Sequence, residues 1–271
     1  MKKHKICKIL LVILAIFLCV AFYELLGICV AYKKQPEVSN TTKKETKNGS
    51  WNECSENTER AVIIEKNPEA LLQRVRLIKN AKKEIILSTF AFQSDESGKL
   101  ILGALHDAAD RGVHIRLLVD GMESWIDMEG NPYFYGLSSH ENVEIKLYNK
   151  ANPLKPWKMM GRMHDKYLIA DGKRYILGGR NTYNYFLGDF PGHKNYDRDV
   201  LVVCDEPEKE NSVNQLLEYF ETIWEQEDSD YFHDNKKLAN RKSVKNAVLE
   251  LQNGYQKYFE ENKERICDTD Y

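Results

Sequence analysis

Apolar residues are distributed along this chain in two ways. From Ile6 to Tyr32 they form a nearly continuous run that only Lys8 and Glu24 interrupt with charge. From about residue 60 onward they come as short runs that alternate with stretches of helical spacing. The first pattern suits a bilayer, which about 20 apolar residues cross as a helix. Glu24 is read as an acid near the far interface rather than an intramembrane functional group. The only candidate lipobox, Leu26-Gly27-Ile28-Cys29, has Ile where a small residue is expected, so residues 1–32 are expected to be an uncleaved signal anchor rather than a cleaved peptide. Lys2, Lys3, Lys5 and Lys8 favour the N-terminus inside, which places the following domain outside the cytoplasm on a single-pass cell-membrane protein. Lys33, Lys34, Lys43, Lys44 and Lys47 blunt that bias.

The second pattern predicts alternating strands and helices. Residues 61–65 read as a short strand. Asn67-Pro68-Glu69 then supplies an N-cap, a first-turn proline and an acid at the positive helix end, and Leu71, Leu72, Val75 and Ile78 continue at helical spacing to about residue 81. Residues 84–92 form a buried-type strand. Residues 98–111 place Leu100, Ile101, Leu105 and Ala108 on one helical face, with Gly112 at the C-terminal cap. Strands follow at 113–120 and 143–148, with a helix from Pro132 between them. Residues 149–161, with Pro153, Pro156 and Trp157, read as a long loop. Residues 163–171 and 174–178 read as a hairpin across Asp171-Gly172, followed by a strand at 198–204 and amphipathic helices at 211–226 and 243–264. This order predicts an α/β fold with a mixed, mostly parallel central sheet covered by helices. The expected organisation is an anchor at 1–32, a polar tether at 33–59, a folded domain at 60–230 and a C-terminal helical extension at 231–271.

Charge narrows the partners. The chain carries 39 basic and 41 acidic residues; beyond residue 32 the counts are 35 and 40. A mildly acidic soluble part lacks the broad basic field of non-specific nucleic-acid binders, which makes nucleic acid an unexpected partner and leaves room for a local basic cleft. Cys54, Cys204 and Cys267 show no metal spacing; they are expected as free thiols, with a Cys54–Cys267 bridge as the alternative outside the cytoplasm.

Residues 164–181 read HDKYLIADGKRYILGGRN. On a strand, positions two apart share a face, so His164 and Lys166 point one way and Asp165 and Tyr167 the other. Asp171 closes the strand, Gly178 and Gly179 keep the backbone uncluttered, and Asn181 follows. A neutral imidazole beside a cation and an amide suits an anionic phosphate ester, with Lys and Asn holding non-bridging oxygens. Singly such residues are ordinary surface groups; the joint spacing His-x-Lys-x4-Asp-x6-Gly-Gly-x-Asn is what carries weight.

That spacing resembles the signature of the phospholipase D superfamily, in which Ser commonly stands where this chain has Gly179. The glycine pair and the flanking residues are similar to bacterial cardiolipin synthases. The resemblance extends upstream through the 84–92 strand and Ala109-Asp110-Arg111-Gly112-Val113, and downstream to Asp197-Arg198-Asp199-Val200, covering about residues 60–225. It implies a phospholipase D-like α-β-α sandwich, no metal or other cofactor, and two-step transfer through a phosphohistidine. His164 would be one catalytic histidine, Lys166 and Asn181 with the Gly178-Gly179 backbone would bind phosphate, Asp171 would support the motif, and Asp199 would orient an imidazole. A second His-x-Lys motif is expected of such an enzyme. His4, His106, His114, His140, His193 and His233 do not supply it. The second histidine is therefore expected from a homodimer or a partner chain, or the chain is an inactive remnant. The expected function is a membrane-anchored phosphatidyltransferase or phosphodiesterase acting on phospholipids, with a single-motif nuclease as the alternative.

Overall fold

The computed structural model describes residues 2–33, 40, 43–44, 59–158, 160–206, 211–233 and 235–271. The chain divides into two units, Met1–Asn57 with Ala151–Arg162, and Thr58–Lys150 with Met163–Tyr271. In the first, helix α1 covers Lys2–Lys33, and its segment Lys5–Ala31 is long and apolar enough to cross a membrane. The tether expected at 33–59 lies for the most part outside the described residues, as does Cys54 of the considered bridge.

The second unit is built on eight strands: β1 (Glu59–Ile64), β2 (Glu84–Thr89), β3 (His114–Asp120), β4 (Val143–Tyr148), β5 (Lys166–Ala170), β6 (Arg174–Gly178), β7 (Asp199–Cys204) and β8 (Ser229–Tyr231). They form one sheet in the order β1-β7-β6-β5-β2-β3-β4-β8. Only β2–β3 and β3–β4 pair in parallel. The other five neighbouring pairs are antiparallel, so the sheet is mixed as expected but mostly antiparallel rather than mostly parallel. A strand buried on both faces carries the same apolar run in either direction, so its sequence pattern does not encode orientation.

Helices cover both faces. On one side lie α2 (Asn67–Asn80), α3 (Glu96–Asp110), α5 (Pro132–Ser138) and α7 (Lys242–Glu261), packed over Ile85, Leu87, Ile115, Leu117, Leu168 and Ile176. On the other, α6 (Ser212–Trp224) sets Val213, Phe220 and Trp224 against Ile86, Leu118, Tyr167, Ile169 and Tyr175. Odd and even strand positions thus feed different cores, the two-residue period of a pleated strand. The helices expected as a C-terminal extension belong to the first of these cores: α7 packs on α3 and α5 and buries Val244, Leu251, Tyr255 and Phe259 there, while α8 (Lys263–Cys267) adds Ile266.

Local chemistry sets several boundaries. Asp95, not singled out in the sequence, caps α3 by accepting from Gly98 N at 3.0 Å. The expected cap at Asn67 is displaced by one residue: Lys66 occupies the cap position, and Asn67 is the first helical residue, buried and engaged elsewhere. A short helix α4 (Gly121–Asp127) also follows β3, capped by Asp120 through Met122 N and Glu123 N.

Candidate active site

The motif converges on the end of β2. Lys166 pairs across the sheet with Thr89. One residue on, the Phe90 ring meets the His164 ring edge-on at a centroid distance of 4.5 Å and lies 5.3 Å from Lys166 Nζ. At Ala91 the backbone N–H donates to Asn181 Oδ1 at 3.2 Å, leaving the Asn181 NH2 end to donate elsewhere. Three consecutive residues of β2 and its continuation therefore gather a histidine, a lysine and an asparagine that are up to 17 positions apart in sequence. Thr182 locks this junction: its N–H donates to Ala91 O at 3.0 Å, and its hydroxyl donates to Thr89 Oγ1 at 3.2 Å.

Exposure divides the roles. His164 is open to solvent, whereas Lys166 is only 6% exposed. Lys166 Nζ donates to the His164 carbonyl at 2.7 Å, which fixes the ammonium beneath the imidazole. Burial pushes the Lys166 pKa below the usual lysine value, while Asp165 and Asp197 pull it back up. The opposite strand face carries Asp165, which accepts from Tyr219 of α6 at 2.8 Å, and the buried Tyr167. The partition read from the His-x-Lys spacing is the one the fold adopts. An exposed imidazole beside a desolvated cation suits attack on a phosphate ester whose charge the lysine offsets.

The family described as cardiolipin synthase, PLD-like domain, matches residues 74–224. The chain belongs to this family of PLD-like domains. Cardiolipin synthase C of Escherichia coli (strain K12) is 29% identical over 171 residues, 58% of this chain and 34% of that protein. Cardiolipin synthase 1 of Staphylococcus aureus (strain MRSA252) is 34% identical over 117 residues, 43% of this chain and 23% of that protein. The chain thus spans about a third or less of the length of these relatives. The fold of a phosphatidylserine synthase from Haemophilus influenzae Rd KW20 superposes with a TM-score of 0.52 at 16% identity, covering 74% of this chain and 44% of that one.

Within the PLD-like domain, the remaining motif residues do different work. Asp171 lies at the far end of β5 from His164, in the hairpin turn, with φ +56°. Its carboxylate accepts from the backbone N–H groups of Lys82, Lys83 and Glu84 at 2.7–3.1 Å, tying the β5–β6 hairpin to the entry of β2. Asp199 pairs with Gly178 at the same end of the sheet as Lys166. Its fully buried carboxylate meets Arg74 Nη1 at 2.9 Å and Arg180 Nη1 at 3.3 Å. The expected imidazole-orienting role for Asp199 has no hydrogen bond to His164 behind it: both guanidiniums meet its Oδ2, and its Oδ1 is buried without a hydrogen-bond partner.

Arg180, the unspecified position of Gly-Gly-x-Asn, is 1% exposed. It donates to Asn67 Oδ1 at 3.2 Å, Ile64 O at 3.1 Å, Glu65 O at 2.6 Å and the Asp197 carbonyl. It thereby pins Gly179 and Asn181 to the β1–α2 junction.

Gly178 and Gly179 have a steric reason. A β-carbon at Gly178 would stand 2.0 Å from Asp199 Oδ1, and one at Gly179 would stand 2.0 Å from Asp197 Oδ2. The space a serine side chain would take at 179 is filled here by the Asp197 carboxylate. Asp197, rather than Asp199, is the acid that borders the site, and its charge reaches Lys166.

Two more residues were not legible as site residues. Phe90 supplies the platform for the imidazole. Asp120 is 1% exposed and, besides capping α4, accepts from Met163 N at 3.1 Å, which fixes the residue before His164. Their only sequence signal is position, at the C-terminal ends of adjacent predicted strands, where α/β sheets collect functional groups. His106, His114, His140 and His233 pair with the scaffold carboxylates Asp110, Glu144, Asp110 and Glu129 at 2.9–3.3 Å. Among the described residues no group of three or more His, Cys, Asp or Glu side chains is placed to hold a metal ion.

Proposed function

We propose that this chain is a membrane-anchored phosphodiesterase or phosphatidyltransferase of the PLD-like family that acts on phospholipids through a phosphohistidine. The observation that carries the reading is the convergence of exposed His164, buried Lys166 and Asn181 on the Thr89-Phe90-Ala91 segment. An imidazole nitrogen of His164 attacks phosphorus, forming the P–N bond as the P–O bond to the leaving alcohol breaks. A second histidine protonates that alkoxide, then takes the proton of the incoming water or alcohol whose oxygen breaks the P–N bond. Lys166 and Asn181 hold the non-bridging oxygens. With His106, His114, His140 and His233 paired to scaffold carboxylates and neither His4 nor His193 opening a His-x-Lys motif, the second imidazole comes from another His164 across a homodimer or from a partner chain. The phospholipid assignment is supported by the apolar helix α1 and by the similarity to cardiolipin synthases. The basic N-terminus supports a domain outside the cytoplasm.

The test is turnover of labelled phosphatidylglycerol by the full chain in vesicles. His164→Ala should lower it by roughly 10³-fold and abolish acid-labile phosphate on the protein. A chain that turns over no phospholipid at any concentration contradicts the reading. A second reading, a single-motif nuclease, is favoured by the lone His-x-Lys motif; nicking of plasmid DNA without added metal, lost in the same variant, would establish it instead.

A further inference from the structure

Between β4 and β5 a twelve-residue segment, Ala151–Arg162, belongs to the unit of α1 rather than to the domain that carries it. The Tyr23 hydroxyl donates to the Leu154 carbonyl at 2.9 Å. The Tyr23 ring meets Trp157 edge-on, with centroids 6.5 Å apart. One turn further, the segment lies so close to the helix that a β-carbon at Gly27 would stand 2.5 Å from Pro156 Cγ. Tyr23 and Gly27 bracket Glu24, the second of the two charges in the apolar run. Helix from Lys8 to Glu24 is about 24 Å long at ~1.5 Å per residue, close to the ~30 Å hydrocarbon thickness once the two charged side chains reach outward. The segment thus meets α1 at the depth where the helix leaves hydrocarbon, the depth that tyrosine and tryptophan favour. Around these contacts Leu154 is 78%, Met160 50% and Trp157 45% exposed, with the basic Lys155 among them.

We propose that Ala151–Arg162 is a membrane-contacting insertion, whose Leu154, Trp157 and Met160 enter the headgroup–acyl boundary of the leaflet at which α1 ends. Large apolar side chains exposed beside a bilayer-spanning helix are covered by lipid, and Lys155 at the rim meets anionic headgroups. The insertion rests on the reading of α1 as a retained anchor. Its consequence for the site follows from chain connectivity: Met163 and His164 come directly after Arg162, so the catalytic strand begins where the lipid contact ends.

The experiment uses the full chain in vesicles of phosphatidylcholine and phosphatidylglycerol, with and without acyl chains brominated near the headgroup. The emission of Trp157 is the difference between the unmodified chain and Trp157→Phe. Brominated lipid should remove about half or more of that difference. Co-flotation with the vesicles but an unquenched difference overturns the insertion and leaves the anchor standing. Failure to co-float, or an intact mass lacking the first ~30 residues, overturns both.

Discussion

Asp171 offers the sharpest test of how the motif divides chemistry from architecture. The perturbation is Asp171→Ala, with Asp171→Asn as its conservative partner. The carboxylate receives the N–H groups of Lys82, Lys83 and Glu84 at 2.7–3.1 Å. A hydrogen bond to a charged acceptor is worth roughly 1.5–3 kcal/mol, but the Lys82 and Lys83 amides are open to water, which replaces much of the loss there. The Glu84 amide is part-buried, and alanine at φ +56° adds about 1 kcal/mol of backbone cost that asparagine avoids. Together these amount to about 3 kcal/mol for Ala and about half that for Asn. In a domain of this size, 3 kcal/mol lowers the melting temperature by roughly 6–12 °C. Thermal unfolding of the full chain in detergent reads that shift, and turnover of labelled phosphatidylglycerol at 25 °C reads activity per folded molecule. The expected result is a lower melting temperature with turnover within about two-fold of the unmodified chain for Asp171→Asn. An unchanged melting temperature with turnover down by about 10²-fold would place the carboxylate in the chemistry and refute the reasoning.

Two further predictions address the lysine and the buried acid. The Lys166 pKa lies below that of a free lysine because burial disfavours its charged form. The burial therefore costs stability below the folded pKa, and the cost is relieved as pH rises from the folded value toward the unfolded one. The alkaline limb of phosphate binding should accordingly fall below pH ~10.5 and appear in KM, and Lys166→Arg should remove it; a limb that persists in that variant contradicts the assignment. Asp199→Asn leaves Arg74 and Arg180 buried against a neutral amide, which should cost about 3–5 kcal/mol in unfolding measurements with no displacement of the pH–rate profile; a displaced profile at unchanged stability would restore the imidazole-orienting role.

The elements themselves were largely legible. Strands β4 and β6 begin and end where alternation and the Asp171-Gly172 turn place them, since turn chemistry and side-chain period act over a few residues. The His164 and Lys166 face was legible for the same reason. The acids opening β7 were not separable: Asp197 and Asp199 look alike in sequence, yet one reaches the space over Gly179 and the other is sealed between Arg74 and Arg180. Those arginines lie 125 and 19 positions away, beyond any local pattern. Arg180 itself fills an unspecified motif position, and a charged side chain with no visible partner reads as surface until its acceptors at Ile64, Glu65 and Asn67 are known.

By itself, the sequence determined the local periodicities, the apolar N-terminal run and the motif spacing that marks the family, because each depends on residues close along the chain. Tertiary structure decided the strand directions, the gathering of His164, Lys166 and Asn181 around Phe90, the exchange of Asp197 for Asp199 at the site, and the association of residues 151–162 with α1. The physical reason is common to all four. Pairing across a sheet and burial of charge are set by which distant backbone and side-chain groups meet, and a linear pattern records what a residue prefers without recording what it meets.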